Sequence, residues 1–286
     1  MAMPTFAPAP AEPAGISPLT AAYARLSDVF QGLRVREVGP GGALPVGPEW
    51  VPATWLAEGG ASVDEFIAQD AEQALRDYGR RPRADVAATF GLHRYAWPVC
   101  LLVTIPWFLH RRVPRVPVEA VACRRTPGEL AVRIEEFACL PGDAAAQSPG
   151  ARVVPDEEAL RAEVRAALAE HLTPVLEGFR PRIRRGPRAL WGLATDEITE
   201  GLWYLGHLLG EEKRAVHEAG LLLPGAVLPY AQPAGFRQLT GKSGELLPTR
   251  DRASCCLYYT LRPQDTCVTC PRTCDAERIE RLSTTR

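Results

Sequence analysis

The sequence predicts an α+β chain: a mainly α-helical body, a small antiparallel sheet and a C-terminal cysteine-rich module. Three observations carry this. Apolar residues recur at helical spacing, with capping signals, through much of the first two-thirds. Two segments rich in Val, Ile and Phe, 116–124 and 129–140, flank Thr126-Pro127-Gly128, a hairpin signal. Five of the eight cysteines fall in the last 36 residues.

At 286 residues the chain is long enough for one large domain or for a body with an appended module. The expected division is a disordered lead over 1–16, a body over 17–250 with its sheet near 113–140, and the module over 251–286. The lead is rich in Pro and Ala and lacks the basic and apolar regions of a secretory signal. Ser17-Pro18 opens a first helix with Leu26, Val29, Phe30 and Leu33 on its apolar side. Ser62 is the expected cap of the next helix, Glu65 completes a capping box, and Gly79 supplies the C′ residue. Residues 83–110 form one helix, or two broken at Pro98.

Within that segment lies the most apolar run, 95–109, which contains Pro98 and Pro106. A spanning helix needs roughly 20 apolar residues, so this shorter run reads as buried. Residues 142–152 are a loop. Asp156 then opens a long helix whose stripe is Leu160, Val164, Leu168, Leu172, Val175 and Leu176. Pro174 is expected to kink it or end it early. A basic linker, 181–188, leads to a helix over 189–214. Residues 221–250, rich in Pro and Gly, read as an irregular connection.

Composition excludes some classes of function. The formal charge of −1 gives no basic excess, so no nucleic-acid partner is expected. No G-x-G-x-x-G or Walker loop is present, and flavin or nicotinamide binding is not indicated. His93, His110, His171, His207 and His217 are scattered and read as surface or satisfied core residues. Cys100, Cys123 and Cys139 sit in apolar segments and read as small hydrophobes. The expected location is the cytoplasm, with at most a peripheral contact at the inner face of the membrane. Thiols stay reduced there, so clustered cysteines favour a metal or catalysis over disulfides.

The cysteine module reads Cys255-Cys256, ten residues, Cys267-Val-Thr-Cys270, then Cys274. Thiolates favour zinc, copper(I) or iron–sulfur centres. Neighbouring side chains in a strand point to opposite faces. For both Cys255 and Cys256 to ligate, the backbone must bend there, or each thiol must reach a different iron. Spacing alone leaves a [2Fe–2S] cluster, a structural zinc site and a thiol redox pair open. The adjacent pair and the lack of a nearby histidine count against zinc.

C-C-L-Y-Y, the ten-residue interval and C-x-x-C-P resemble the C-terminal signature of the FhuF-like ferric-siderophore reductase family, over about residues 252–271. Arg188-Ala-Leu-Trp-Gly resembles another segment of that family less specifically. The resemblance implies a [2Fe–2S] cluster held by Cys255, Cys256, Cys267 and Cys270. It implies an oxidoreductase that passes one electron to a ferric siderophore and releases Fe(II), with no catalytic side chain beyond the cluster. The partners are then the ferric siderophore and an external electron donor such as a ferredoxin. Cys274 exceeds the pattern, as a spare thiol or a substitute ligand. The alternatives are a zinc-stabilised interaction protein and a cluster-bearing accessory factor of siderophore metabolism. One of Tyr258 and Tyr259 is expected to pack on the body and shield the cluster. Arg182, Arg184, Arg185 and Arg188 form a dense basic run, either a solvated linker or a docking surface for an anionic ferric complex or an acidic ferredoxin.

Overall fold

The computed structural model describes residues 17–230 and 232–284, and the expected lead over 1–16 lies outside them. The helices are α1 (Thr20–Val29), α2 (Ala53–Glu58), α3 (Gly60–Tyr78), α4 (Ala84–His110), α5 (Glu157–Phe179), α6 (Pro187–Leu208), α7 (Glu212–Leu222) and α8 (Asp275–Thr284). The strands are β1 (Arg34–Val38), β2 (Val51–Pro52), β3 (Arg112–Pro114), β4 (Val121–Arg124), β5 (Glu129–Arg133), β6 (Phe137–Cys139), β7 (Ala151–Val153), β8 (Phe236–Thr240) and β9 (Leu246–Arg250). This is the expected mainly helical α+β class.

α4 is the spine. Its residues are apolar on every side, and it packs against α1, α3, α5 and α6. Among the described residues it alone is long and apolar enough to cross a membrane, but 72% of its most apolar window is buried inside the fold, as befits a core helix. Pro98 does not break it, and the helix runs unbroken through Pro106 as well. The reason at Pro106 is visible. Proline cannot donate to the carbonyl four residues back, Leu102, and Tyr23 Oη of α1 donates to that carbonyl instead, at 2.8 Å. Pro174 likewise fails to end α5, which continues to Phe179.

Local signals settle several helix ends. Asp156 caps α5, its side chain accepting the Ala159 N–H at 2.8 Å. Gly79 closes α3 in the left-handed conformation. Ser62, however, lies inside α3 and caps nothing. α3 starts at Gly60, because Gly59, at φ +78, turns the chain directly out of α2. α2 is fixed there by its crossing with α5. A Cβ on Gly178 would stand 2.0 Å from the Leu56 carbonyl oxygen, so only glycine permits the approach. The helix expected over 189–214 divides into α6 and α7, with Gly210 left-handed between them.

The expected hairpin is present: β4 and β5 pair antiparallel, Arg124 opposite Glu129. The long second run splits after Arg133. β5 stays in a four-stranded sheet of order β1-β5-β4-β2, while β6 joins a three-stranded sheet of order β3-β6-β7. β1 pairs with β5, and β7 with β6, in parallel, so the 142–152 loop feeds a strand. The connection over 221–250 is not wholly irregular. It holds the β8–β9 hairpin, whose turn passes through Gly244 at φ +83. β9 ends at Arg250, and the cysteine segment follows directly.

Candidate metal centre

The bend that a vicinal cysteine pair needs falls on Leu257. This residue is left-handed, at φ 67° and ψ 8°, where a bulky L-residue costs roughly 1–2 kcal/mol. The turn points backbone N–H groups back at the pair. Leu257 N–H donates to Cys255 Sγ at 3.4 Å, and Tyr258 N–H serves Cys256. A short 3₁₀ turn, Tyr258–Thr260, carries the chain onward. The Cys267–Cys270 segment forms its own turn, Cys270 N–H donating to the Cys267 carbonyl at 3.0 Å.

These two turns bring the four thiols together as two pairs. Cys256 is in hydrogen-bonding reach of Cys267, and Cys255 of Cys270. Among the described residues no three or more His, Cys, Asp or Glu side chains are set around a single metal ion. Paired thiols from two turns suit a centre with two irons better than one tetrahedral zinc. Cys270 is buried, the other three are half-buried, and Cys274 is exposed. Cys256 is pulled down to about 5 by the hydrogen bond from Cys267, helped by the Tyr258 N–H and the charges of Arg252 and His93. The same hydrogen bond, followed by burial, pushes Cys267 up. Burial raises Cys255, against the pull of the Leu257 N–H. Thiolates are what a metal binds, and Cys256 is poised as one.

The pair is anchored from the body by Asp196 of α6, which is fully buried. Its carboxylate accepts the N–H groups of Ala253 at 2.9 Å and Ser254 at 2.8 Å, and the Arg250 guanidinium at 3.0 Å. Arg252 stands 3.5 Å from the same carboxylate. Gly192 lies at this approach, where a Cβ would stand 3.3 Å from the Ala253 carbonyl oxygen, a tight contact. Beside Arg252, Glu197 pairs with His93 of α4. Burial alone would push His93 down, but the Glu197 carboxylate outweighs it and raises the imidazole above its ordinary value.

The C-x-x-C turn is sealed from the other side by α8. Arg278, buried, donates to the Cys270 carbonyl at 3.0 Å and to Asp251 at 2.6 Å. Arg237 of β8 bridges Asp251 and Asp275, at 2.7 and 2.6 Å. Thr273 Oγ1 donates to the Cys267 carbonyl at 3.2 Å. Cys274 makes no thiol contact of this kind; its carbonyl accepts the Arg278 N–H.

Residues 252–272 match the FhuF 2Fe-2S C-terminal domain. The four cysteines fit the signature of that domain, and its cofactor is a [2Fe–2S] cluster. The match supports an iron–sulfur, siderophore-related protein. No curated protein matches the chain. The donor set suits the cluster: four thiols in two pairs, with N–H groups directed at sulfur and cationic side chains to offset the charge of four thiolates.

The basic run divides in place. Arg182 is held by Asp64 in a two-bonded pair, at 2.8 Å each, and Arg185 donates to Ser254 at 2.9 Å, tying the linker to the FhuF domain. Arg184 and Arg188 are exposed. Tyr258 packs edge-on against Tyr78 of α3, centroids 5.6 Å apart, and Arg272 lies over Tyr259 at 4.3 Å. Sequence reasoning missed Asp196, Glu197, Arg250, Arg252 and His93. Two signals were available: adjacent acids inside an apolar helix, Asp196-Glu197, and arginines at 250 and 252 just before the cysteines.

Proposed function

We propose that the protein reduces ferric siderophores in the cytoplasm by one-electron transfer and thereby releases Fe(II). The observation that carries this reading is the place of Cys256. One of the four thiols that fit the FhuF signature, it lines an open cleft with Tyr78, Arg94, Arg252 and Tyr258. When bound, the cluster supplies exchange of one electron at a time, which is the stoichiometry of Fe(III) + e⁻ → Fe(II). Siderophore oxygens are hard ligands and hold the lower charge of Fe(II) less tightly, so reduction is release.

The side chains of this chain have definite tasks in that scheme. Arg252 keeps positive charge beside Cys256, with the His93–Glu197 pair behind it, and that charge favours the more negative, reduced state of the centre. Tyr258 and Tyr78 wall the cleft with aromatic surface and limit water there.

The electron comes from an external acidic carrier such as a ferredoxin. Exposed arginines support this: Arg80, Arg81 and Arg83 before α4, Arg184 and Arg188 in the linker, Arg262 and Arg272 in the domain. Arg262 lies over Tyr78 at 5.7 Å, which joins the first group to the domain. A positive collar of this kind speeds and orients an acidic partner.

The test is turnover by anaerobically purified protein, with a ferric siderophore, a reduced ferredoxin and a colorimetric trap for Fe(II). Visible and EPR spectra and iron and sulfide counts on the same sample define the loaded centre. Fe(II) release that depends on the loaded protein supports the reading. A loaded protein that never accelerates release overturns it in favour of a non-catalytic role in siderophore metabolism.

A further inference from the structure

The turn that follows the vicinal cysteines is held at two tyrosines, in two directions. Tyr259 lies under the Arg272 guanidinium at 4.3 Å, and Arg272 comes just after Cys270, so this contact ties the two cysteine turns to each other. Tyr258 reaches toward the body. Its ring meets the Tyr78 ring edge to face, centroids 5.6 Å apart and planes at 75°. Tyr78 is the last residue of α3 and lies outside the matched segment 252–272. Arg262, further along the same loop, stands over the Tyr78 ring at 5.7 Å. Tyr78 and Tyr258 both border the cleft at Cys256. Tyr258 also carries the backbone N–H that faces Cys256, and the residue before it, Leu257, is left-handed. That conformation is disfavoured for a bulky side chain and persists only where surrounding contacts impose it.

We infer that Tyr78 is a positioning residue for the metal centre: its edge contact with Tyr258 holds the Leu257 turn, and the turn holds its N–H groups on the vicinal thiols. The inference goes beyond the reductase reading and does not depend on the substrate. Groups that hydrogen-bond to ligand sulfur orient the ligands and tune the centre, so a residue that fixes such a group acts on the centre without touching it. The contact is made by the rings, and a phenyl ring in place of Tyr78 keeps it. An edge-to-face pair of this kind shifts a local equilibrium by about two- to tenfold. Retention of the centre thus depends on α3 of the body as well as on the segment that carries the four thiols.

The experiment places cluster-loaded, full-length protein in excess EDTA without oxygen and follows the decay of visible absorbance. Tyr78→Ala should lose the centre about two- to tenfold faster than the parent. Amide hydrogen exchange over 257–262 should rise in the same variant, with exchange in α4 unchanged. Tyr78→Phe should keep the parent rate. A double-mutant cycle then tests the route: if Tyr78 acts through Tyr258, the variant carrying both Tyr78→Ala and Tyr258→Ala loses the centre no faster than Tyr258→Ala alone. Parent behaviour in Tyr78→Ala, an equal loss in Tyr78→Phe, or independent effects that multiply in the double variant each overturn the assignment. So does a rise in exchange spread through α4, which would make Tyr78 a residue of general stability. None of these readouts needs turnover, so a loaded protein that fails to release Fe(II) would sink the reductase reading and leave this one standing.

Discussion

The Asp196 carboxylate accepts the Ser254 N–H at 2.8 Å, one residue before the first cysteine of the ligand pair. A buried acid on a body helix therefore sets the position of the loop that carries the vicinal cysteines. Asp196 also neutralises Arg250, itself 1% exposed. Without Asp196, Arg250 keeps only the partly exposed Glu200, at 3.1 Å, and breaking such a buried pair costs about 3–5 kcal/mol. Asp196→Ala should lower the thermal midpoint and lose the visible absorbance of the centre together. Retention of full absorbance at native stability would show that the anchor is dispensable.

The cysteines are expected to divide into ligands and a bystander. Cys256→Ser and Cys267→Ser are each expected to abolish the visible spectrum and bound iron, since each takes one thiol from a pair. Cys274→Ser should change neither, because Cys274 is exposed and offers the structure only its carbonyl. Iron and sulfide counts on the three variants decide the assignment.

The docking collar is testable by charge reversal. Arg184→Glu with Arg188→Glu should raise the KM for an acidic electron donor several-fold at low salt and leave kcat near its original value. Exposed charges are screened over about 8 Å at physiological ionic strength, so the effect should shrink as salt rises. A KM indifferent to both the reversal and the salt would remove these arginines from the docking surface.

His171 predicts a pH dependence of stability. It is fully buried, its Nδ1 donates to the Val116 carbonyl at 2.6 Å, and its Nε2 accepts from Tyr95 Oη at 2.7 Å. Burial lowers it from 6.5 to about 4. The unfolded chain therefore binds the proton first on acidification. The stability from neutral His171 is complete above about 6.5 and is lost as pH falls toward 4, by about 3 kcal/mol in all. His93, raised by Glu197, acts in the opposite sense: its contribution is present below 6.5 and lost as pH rises through its folded value. Unfolding midpoints in denaturant between pH 4 and 7 should fall on acidification in the parent and flatten in His171→Gln.

Tyr23→Phe isolates the device that lets α4 carry Pro106. Without the hydroxyl the Leu102 carbonyl is left buried and unpaired, which costs about 1–3 kcal/mol. Chemical denaturation should report that loss with the secondary structure unchanged.

Features set by neighbouring residues were legible in the sequence. The Asp156 cap, the Gly79 stop and the β4–β5 hairpin each depend on a few adjacent positions. Features set by distant contacts were not. Ser62 lost its role as a cap because α2 is pinned by Gly178, far along the chain. Pro106 stayed within a helix because Tyr23 lies beside it in space. β1 pairs in parallel with a strand beginning at Glu129, and nothing local to 34–38 announces it. The site divides in the same way. Thiol chemistry and spacing exposed the four cysteines, whereas Asp196, Arg252 and His93 become neighbours only when α4 and α6 cross behind the loop.

Arg278 and Arg281, which fasten the C-x-x-C turn through the carbonyls of Cys270 and Thr266, come later in the chain than the ligands they fasten. The C-x-x-C turn therefore owes its fastening to residues that follow all four thiols, and a chain cut before Arg278 would leave both carbonyls without their guanidinium partners.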